Sequence, residues 1–325
     1  MFKRNQKKTE RHESGLKKGQ RRFILSVTIP MILYESIGVF TLLWAFVLMF
    51  FKYSPGRAGG PILGLGGSNP FVGLQHFQNM FTGVSLEARQ FRISLVNTLI
   101  FAFVVLALNL MITLPLATMI ESVRSRYKNV FRMIYFLPVL TASVGVASMW
   151  AYIYDPQAGL LNGIIRTLGG TPVAWLSDPR AKVLGVPIAM LAVIIAYLWS
   201  DYGYNLVIFI AALQSIPYEL KEAAMIDGAN AWHVFSKITV PLLRPTLLFV
   251  CVMTMLSSFQ VFDVIQVMTN GGPNNQTRVM MLDIYDNAFR FQRMGWAAAV
   301  SFILFLIVMT VTLVQMRLLR TDWEY

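Results

Sequence analysis

Charge is scarce in this chain. Only 14% of its 325 residues are Asp, Glu, Lys or Arg, against roughly a quarter in soluble domains, which excludes a water-soluble globular protein. Acid is scarcer than base, 16 residues against 28, for a formal net charge of +12. Cysteine is reduced to Cys251, set in an apolar run. No disulfide framework forms within the chain, and the thiol reads as a small buried apolar group. Histidine occurs only at His12, His76 and His233, far apart and without Cys or paired carboxylates at ligand spacing, so no metal centre is encoded. There is no Gly-x-x-x-x-Gly-Lys-Ser/Thr segment to cradle ATP phosphates and no Gly-x-Ser-x-Gly nucleophile elbow. No repeat suggests a solenoid. The chain reads as a non-enzyme with no catalytic residue, metal or cofactor of its own.

Apolar residues are what it has, 56% of the total. Six windows approach or exceed the ~20 residues needed to cross a bilayer: 29–51, 95–120, 131–154, 183–213, 247–268 and 295–316. The expected fold class is an all-α integral membrane protein with six transmembrane helices. Ser200-Asp201-Tyr202-Gly203-Tyr204 interrupts the fourth window, leaving one tilted helix or two short ones, and loop charge decides between them. Nine of the 28 basic residues crowd the first 22 positions, directly before the first window. Without a recognised nucleic-acid fold or an aromatic-spaced basic motif, they read as a topology signal or a contact with membrane lipid, not as a nucleic-acid footprint. With six spans and the N-terminus inside, the inner segments hold 17 Lys and Arg and the longer outer ones 10. This favours cytoplasmic N- and C-termini. The basic stretch is too long for a usual signal peptide, so the first window is expected to stay as an anchor. Outside, the Gly/Pro-rich 55–70 stretch of the 52–94 loop is expected to be irregular, and 155–182 to hold a short surface helix. Glu35, in the first window, receives no role.

Between the fourth and fifth windows lies an amphipathic, charge-bearing insert, Ser215 to Pro241. Its local signals predict helix, turn, helix. Pro217 suits a first turn, and Glu219 and Glu222 sit early enough to favour a positive helix N-terminus. Leu220, Ala223 and Ala224 form an apolar stripe. Gly228 permits a left-handed ending, and Asn230 can cap a second helix that Pro241 and Pro245 would close. A membrane-surface helix would carry a Lys/Arg-rich polar face. This insert instead sets Glu219, Glu222 and Asp227 against Lys221, Lys237 and Arg244, which favours docking of a helix in a groove on a soluble partner.

The order Glu222-Ala223-Ala224, Asp227-Gly228-Ala229, Ile238 and Pro241 resembles the EAA loop of binding-protein-dependent ABC-importer permeases. Downstream, Phe262-Asp263, Thr269-Asn-Gly-Gly-Pro273, Thr277, Tyr285, Ala288-Phe289 and Gly295-Trp-Ala-Ala-Ala299 resemble the carbohydrate branch, of maltose and glycerol-3-phosphate type. So do the upstream 155–162 and Trp175-Leu-Ser-Asp segments. The similarity covers roughly 95 to 317. The chain accordingly divides into a basic cytoplasmic tail (1–23), a first helix with its external loop (24–94), a permease core (95–317, coupling loop 215–241) and a second tail (318–325).

The resemblance implies a type I importer permease fold in the bacterial inner membrane. It implies a second permease subunit, often non-identical, two ATPase subunits carrying ATP and Mg, and an extracytoplasmic solute-binding protein that delivers a sugar, oligosaccharide or polyol-phosphate. It also implies that Glu222, Ala223, Ala224, Asp227, Gly228, Ala229, Ile238 and Pro241 couple ATPase closure to the spans.

Polar groups inside spans mark a solute path. One cluster is Trp199, Asp201, Tyr204 and Asn205, and another is Thr254, Ser257, Ser258, Gln260 and Asp263. Aromatic faces and hydroxyl groups suit a sugar. Trp199 and Tyr204, with Thr254 and Ser258, stand near the family's lining positions, although Ser and Thr also tie membrane helices together. The competing readings are a self-sufficient ion-coupled transporter, for which Asp201 and Asp263 offer thin support, and an ABC permease for a non-sugar solute. A membrane enzyme would need an interfacial catalytic cluster, and the sequence holds none.

Overall fold

The computed structural model describes residues 2–57 and 59–319. Its first helix, α1 (Phe2–Leu48), begins in the basic stretch and runs without interruption into the apolar one. Lys, Arg, Gln and Glu are good helix formers, so the tail expected at 1–23 continues the first span instead of preceding it. Only Phe23–Leu48 is apolar enough to cross a membrane. Every residue from Phe23 to Leu43 is exposed. The tail assigned to 318–325 lies outside the described residues beyond Leu319.

The Gly/Pro-rich stretch is more ordered than its composition predicts. A hairpin pairs β1 (Gly59–Ile62) with β2 (Leu65–Gly67), and α2 (Gln75–Thr82) follows. Positive φ angles at Leu63, Gly64, Gly66 and Gly67 allow the tight turns. The Arg92 guanidinium donates to the Met80 and Gly83 carbonyls at 3.1 and 3.0 Å, satisfying the end of α2.

The second span, α3 (Leu86–Ser122), starts nine residues before the expected window, because the Ser85 hydroxyl caps it by accepting from the Ala88 amide at 3.3 Å. The boundary drawn at 94/95 therefore falls inside one helix. The third window is broken. After α4 (Ser125–Phe136) comes a tight 3₁₀ turn at Leu137–Leu140 that includes Pro138, then α5 (Ser143–Ile153). The halves are bent by 96°. Proline lacks the amide that would continue the α-helical ladder.

Beyond α5, α6 (Leu160–Thr167) is the expected surface helix, and β3 (Lys182–Val183) pairs with β4 (Val186–Pro187). Asn162, fully buried, holds this region by exchanging bonds of 2.9 Å each way with the Val173 backbone. The Asp155 carboxylate accepts from the Gln157 and Ala158 amides at 2.8 and 2.7 Å. Those amides, Ala158 first, hold it below its ordinary pKa.

The fourth span, α7 (Ile188–Gln214), is one helix through Ser200–Tyr204. What reads as a break is a crossing point. At Gly203 a side chain would overlap the Tyr135 carbonyl and press on Val139, so glycine allows α4 and the 137–140 turn to approach α7 closely. The 215–241 insert forms α8 (Tyr218–Ile226) and α9 (Ala231–Val234), a wide π turn at Phe235–Thr239, and α10 (Val240–Leu242). The fifth span is α11 (Arg244–Phe259), then α12 (Asp263–Met268) after a short break. A connecting segment with α13 (Met280–Tyr285) leads to the last, α14 (Met294–Leu319). Among the described residues five helices are long and apolar enough to span, or six if the bent α4–α5 pair is one span. Apolar clusters join them, including one around Phe101, Ile194 and Ile265, one around Phe91, Phe259 and Val300, and one around Ile120, Phe209 and Leu243.

Candidate functional site

The 215–241 loop folds as its residues dictate, with two corrections. Pro217 stands at the N-cap of α8 with extended backbone, one position before the first turn. Asp227 ends the helix and Gly228 follows at φ +85°. The Gly228 amide donates to the Met225 carbonyl at 3.1 Å and the Ala229 amide to the Ala224 carbonyl at 2.9 Å. This bond pair is a full Schellman ending, which requires a left-handed residue at Gly228. Asn230 caps α9, its side chain accepting from the His233 amide at 2.9 Å. Pro241 and Pro245 do not close the second helix. Pro245 sits in the first turn of α11, where its missing amide costs nothing, and Pro241 sits in α10, directly after the wide turn in which the Val240 amide reaches back to the Phe235 carbonyl.

No residue of α8 is buried. Glu222, Ala223, Asp227 and Gly228 are exposed, Ala224, Ala229, Ile238 and Pro241 half-buried. Large apolar side chains lie open beside them: Ile226 is 85% and Trp232 70% exposed, with Leu220 and Met225 also exposed. A helix whose apolar residues find no cover in its own chain is an interaction surface.

The loop is seated against the spans by a group that sequence reasoning did not single out. Glu121, in the last turn of α3, binds Lys128 and Arg132 of α4, each at 2.7 Å, and accepts from the Gln214 amide group of α7 at 3.1 Å. One carboxylate thus ties three helix ends together immediately above the insert. Between these ends and the loop lies a groove of about 1000 Å³ whose lining includes Glu121, Lys128, Tyr218, Lys221, Met225 and Trp232. The available signal was a lone acid at the edge of the basic 121–132 stretch.

Among the solute-path candidates, Trp199 is half-buried and meets Trp150 edge to face at 6.1 Å, and Tyr204 is exposed. Five residues apart on α7, they point about 140° from one another, so the helix does not bring them to one face. Thr254 and Ser258 are buried. Thr254 accepts from the Asn205 side chain at 2.9 Å, Asn205 also donates to Asn109 at 3.0 Å, and Asn109 donates to Asp201 at 3.1 Å. These four polar groups join α3, α7 and α11 within the spanning region. Asn109 was overlooked because it stands alone in an apolar window. Asp263, at the start of α12, accepts from the Ser143 hydroxyl at 2.6 Å, which links the two sides of the α5–α12 contact. Among the described residues no three His, Cys, Asp or Glu side chains are grouped as metal ligands.

Five apolar spanning helices with a bent pair, a polar network between them and an uncovered helical pair on one loop define a multi-pass membrane protein. The family model for the inner membrane component of binding-protein-dependent transport systems matches residues 113–322, and the chain belongs to that family. It is 33% identical over 251 residues to the trehalose/maltose transport system permease MalF of Thermococcus litoralis, covering 77% of this chain and 80% of that one. It is 35% identical over 228 residues to the lactose transport system permease LacF of Rhizobium radiobacter, covering 68% and 74%. A crystal structure of a bacterial ABC transporter involved in import of the acidic polysaccharide alginate shares the fold, with a TM-score of 0.75 over 95% of this chain and 99% of that chain at 23% identity. Family membership sets aside the self-sufficient transporter.

Proposed function

We propose that the chain is the permease subunit through which an ATP-driven importer passes a sugar-type solute, an oligosaccharide or polyol-phosphate, across the inner membrane. A second permease, non-identical to this one, pairs with it. Two ATPase subunits hold ATP and Mg, and an extracytoplasmic binding protein delivers the solute. Both termini lie in the cytoplasm, as the basic residues favour. The observation that carries the coupling is the exposed α8–α9 pair, with Ile226 and Trp232 open and Glu222 on the outer surface. Docked in an ATPase groove, it transmits closure to α3, α4 and α7 through the Glu121 tie, and the path opens alternately to each side as a rigid-body rearrangement. The sugars named for its relatives support the solute class. Trp199 and Tyr204 are the favoured lining residues. Thr254 and Ser258 contribute from behind, through the Asn205 network and helix packing.

Co-expression with neighbouring genes, purification in mild detergent and mass identification of what co-purifies tests this reading. An ATPase and a second permease should be recovered with the wild type, and Glu222→Lys should lose the ATPase while keeping the permease pair. Recovery of the chain without any ATPase would remove the proposal.

A further inference from the structure

A second built cavity lies at the opposite end of the spans, away from the docking loop. Lys52–Arg57, Val72–Asn79 and Ser85–Glu87 face Phe291–Trp296 around about 610 Å³. Backbone bonds pin its walls: the Lys52 amide donates to the Pro70 carbonyl at 3.0 Å, Val72 to Phe50 at 2.8 Å and Gly295 to Tyr53 at 3.3 Å. Gly295 itself must be glycine, because a side chain there would overlap the Phe51 carbonyl.

The lining is unbalanced in charge and in hydrogen bonding. It contains Lys52, Arg57 and Arg293 against one carboxylate, Glu87, which Arg293 already binds. Among the described residues neither Lys52 nor Arg57 forms a salt bridge. Trp296 is only 7% exposed, yet its indole N–H has no acceptor among the described residues. A buried donor left unpaired is costly, so this one waits for an acceptor. His76 packs edge to face on Trp296 at 5.9 Å, and its Nε2 pairs with the Phe51 carbonyl at 3.1 Å. Burial lowers its pKa, against the raising effect of that carbonyl and with the lowering effect of Lys52. A neutral ring donating from Nε2 leaves Nδ1 as an acceptor for a ligand hydroxyl, and Gln75, Asn79 and Ser85 add further hydroxyl partners.

The cavity's depth narrows the ligand. The span of α1 ends at Leu48 and that of α14 begins at Met294, so the cavity opens where lipid phosphates lie. We propose that it binds a phosphate ester carrying hydroxyl groups, supplied by an anionic phospholipid headgroup of the glycerol-phosphate type. Lys52 and Arg57 meet the phosphate, the Trp296 N–H donates to an ester or phosphate oxygen, and His76 and the amides take the hydroxyls. The bound lipid bridges the outer ends of α1 and α14, the first and last spans.

Thermal unfolding of the purified full complex in neutral detergent tests this, with phosphatidylglycerol, phosphatidylcholine or free glycerol phosphate added. The wild type should be stabilised by phosphatidylglycerol alone. The Lys52→Ala/Arg57→Ala double variant, altered only at exposed side chains, should lose at least about tenfold in apparent affinity for it. Trp296→Phe, which keeps an aromatic ring and removes the N–H, should weaken it as well. Equal stabilisation of all three proteins would mean lipid bound around the whole membrane belt and would overturn the site. Stabilisation by free glycerol phosphate to the same extent would overturn the lipid as its source.

Discussion

Arg278 shows how one side chain can decide the order of a whole external segment. It is 5% exposed and lies between Asp283, at 2.9 Å, and Asp286, at 2.8 Å. Burial holds the Asp283 carboxyl above its ordinary pKa, and Arg278 offsets only part of that rise. Its backbone carbonyl also accepts from Asn97 of α3 at 3.0 Å, and nearby the Met280 amide donates to the Thr98 hydroxyl at 2.9 Å. Breaking a buried pair costs more than the pair contributes, because it strands the partner charge. Arg278→Met should therefore cost about 3–5 kcal/mol, read as a lower unfolding midpoint in detergent. An unchanged midpoint would show that the two carboxylates are neutralised some other way. At this scale the sequence was partly legible. Thr277, Tyr285 and the 269–273 run stood out by resemblance, but a lone arginine in a loop gave no sign that it is buried.

At the scale of elements, the coupling loop was readable almost residue by residue. Gly228 and Asn230 act locally, through hydrogen bonds that join residues three to five positions apart, and local rules capture such effects. Gly228→Val tests the turn. No atom crowds the position, so the cost comes from φ +85° alone, about 1–2 kcal/mol for a residue with a side chain. That strain should displace α9 from α8 and reduce ATP-driven uptake severalfold, while membrane insertion, followed by immunoblot of the membrane fraction, stays intact. Full uptake by this variant would show that the turn's geometry is not transmitted. Other elements were misread where distant packing decides. Hydropathy counted the apolar residues of 131–154 correctly, but the 96° bend follows from Pro138 and the need to lie against α7. The Gly/Pro content of 55–70 suggested irregularity, whereas those residues turn a hairpin. Ser200–Tyr204 left one helix or two open, and loop charge correctly favoured a single span, without giving the reason for Gly203. Its use, the close approach of the Tyr135 backbone, lies 68 positions away in sequence.

At the scale of the molecule, two surfaces of the described chain lack cover from the chain itself. The apolar face of α1 from Phe23 to Leu43 is uncovered, as is the α8–α9 surface. In the proposed assembly the first would face lipid or a second permease, and the other a soluble partner. Between them the Asn109–Asp201–Asn205–Thr254 network binds three spans together. The number of spans and the position of the loop were legible from composition and charge placement alone, because the bilayer imposes both. The solute path was not, because an opening between two chains cannot be read from one.

The central claim is that solute passage is driven by an ATPase acting through the 215–241 loop. It is tested most directly by measuring solute uptake into proteoliposomes that hold the assembled complex, with ATP inside and the binding protein supplied with its solute outside. The account predicts uptake that requires both ATP and the binding protein and that Glu222→Lys abolishes while the permease remains in the membrane. Uptake that persists without the ATPase, or undiminished in Glu222→Lys, would contradict it.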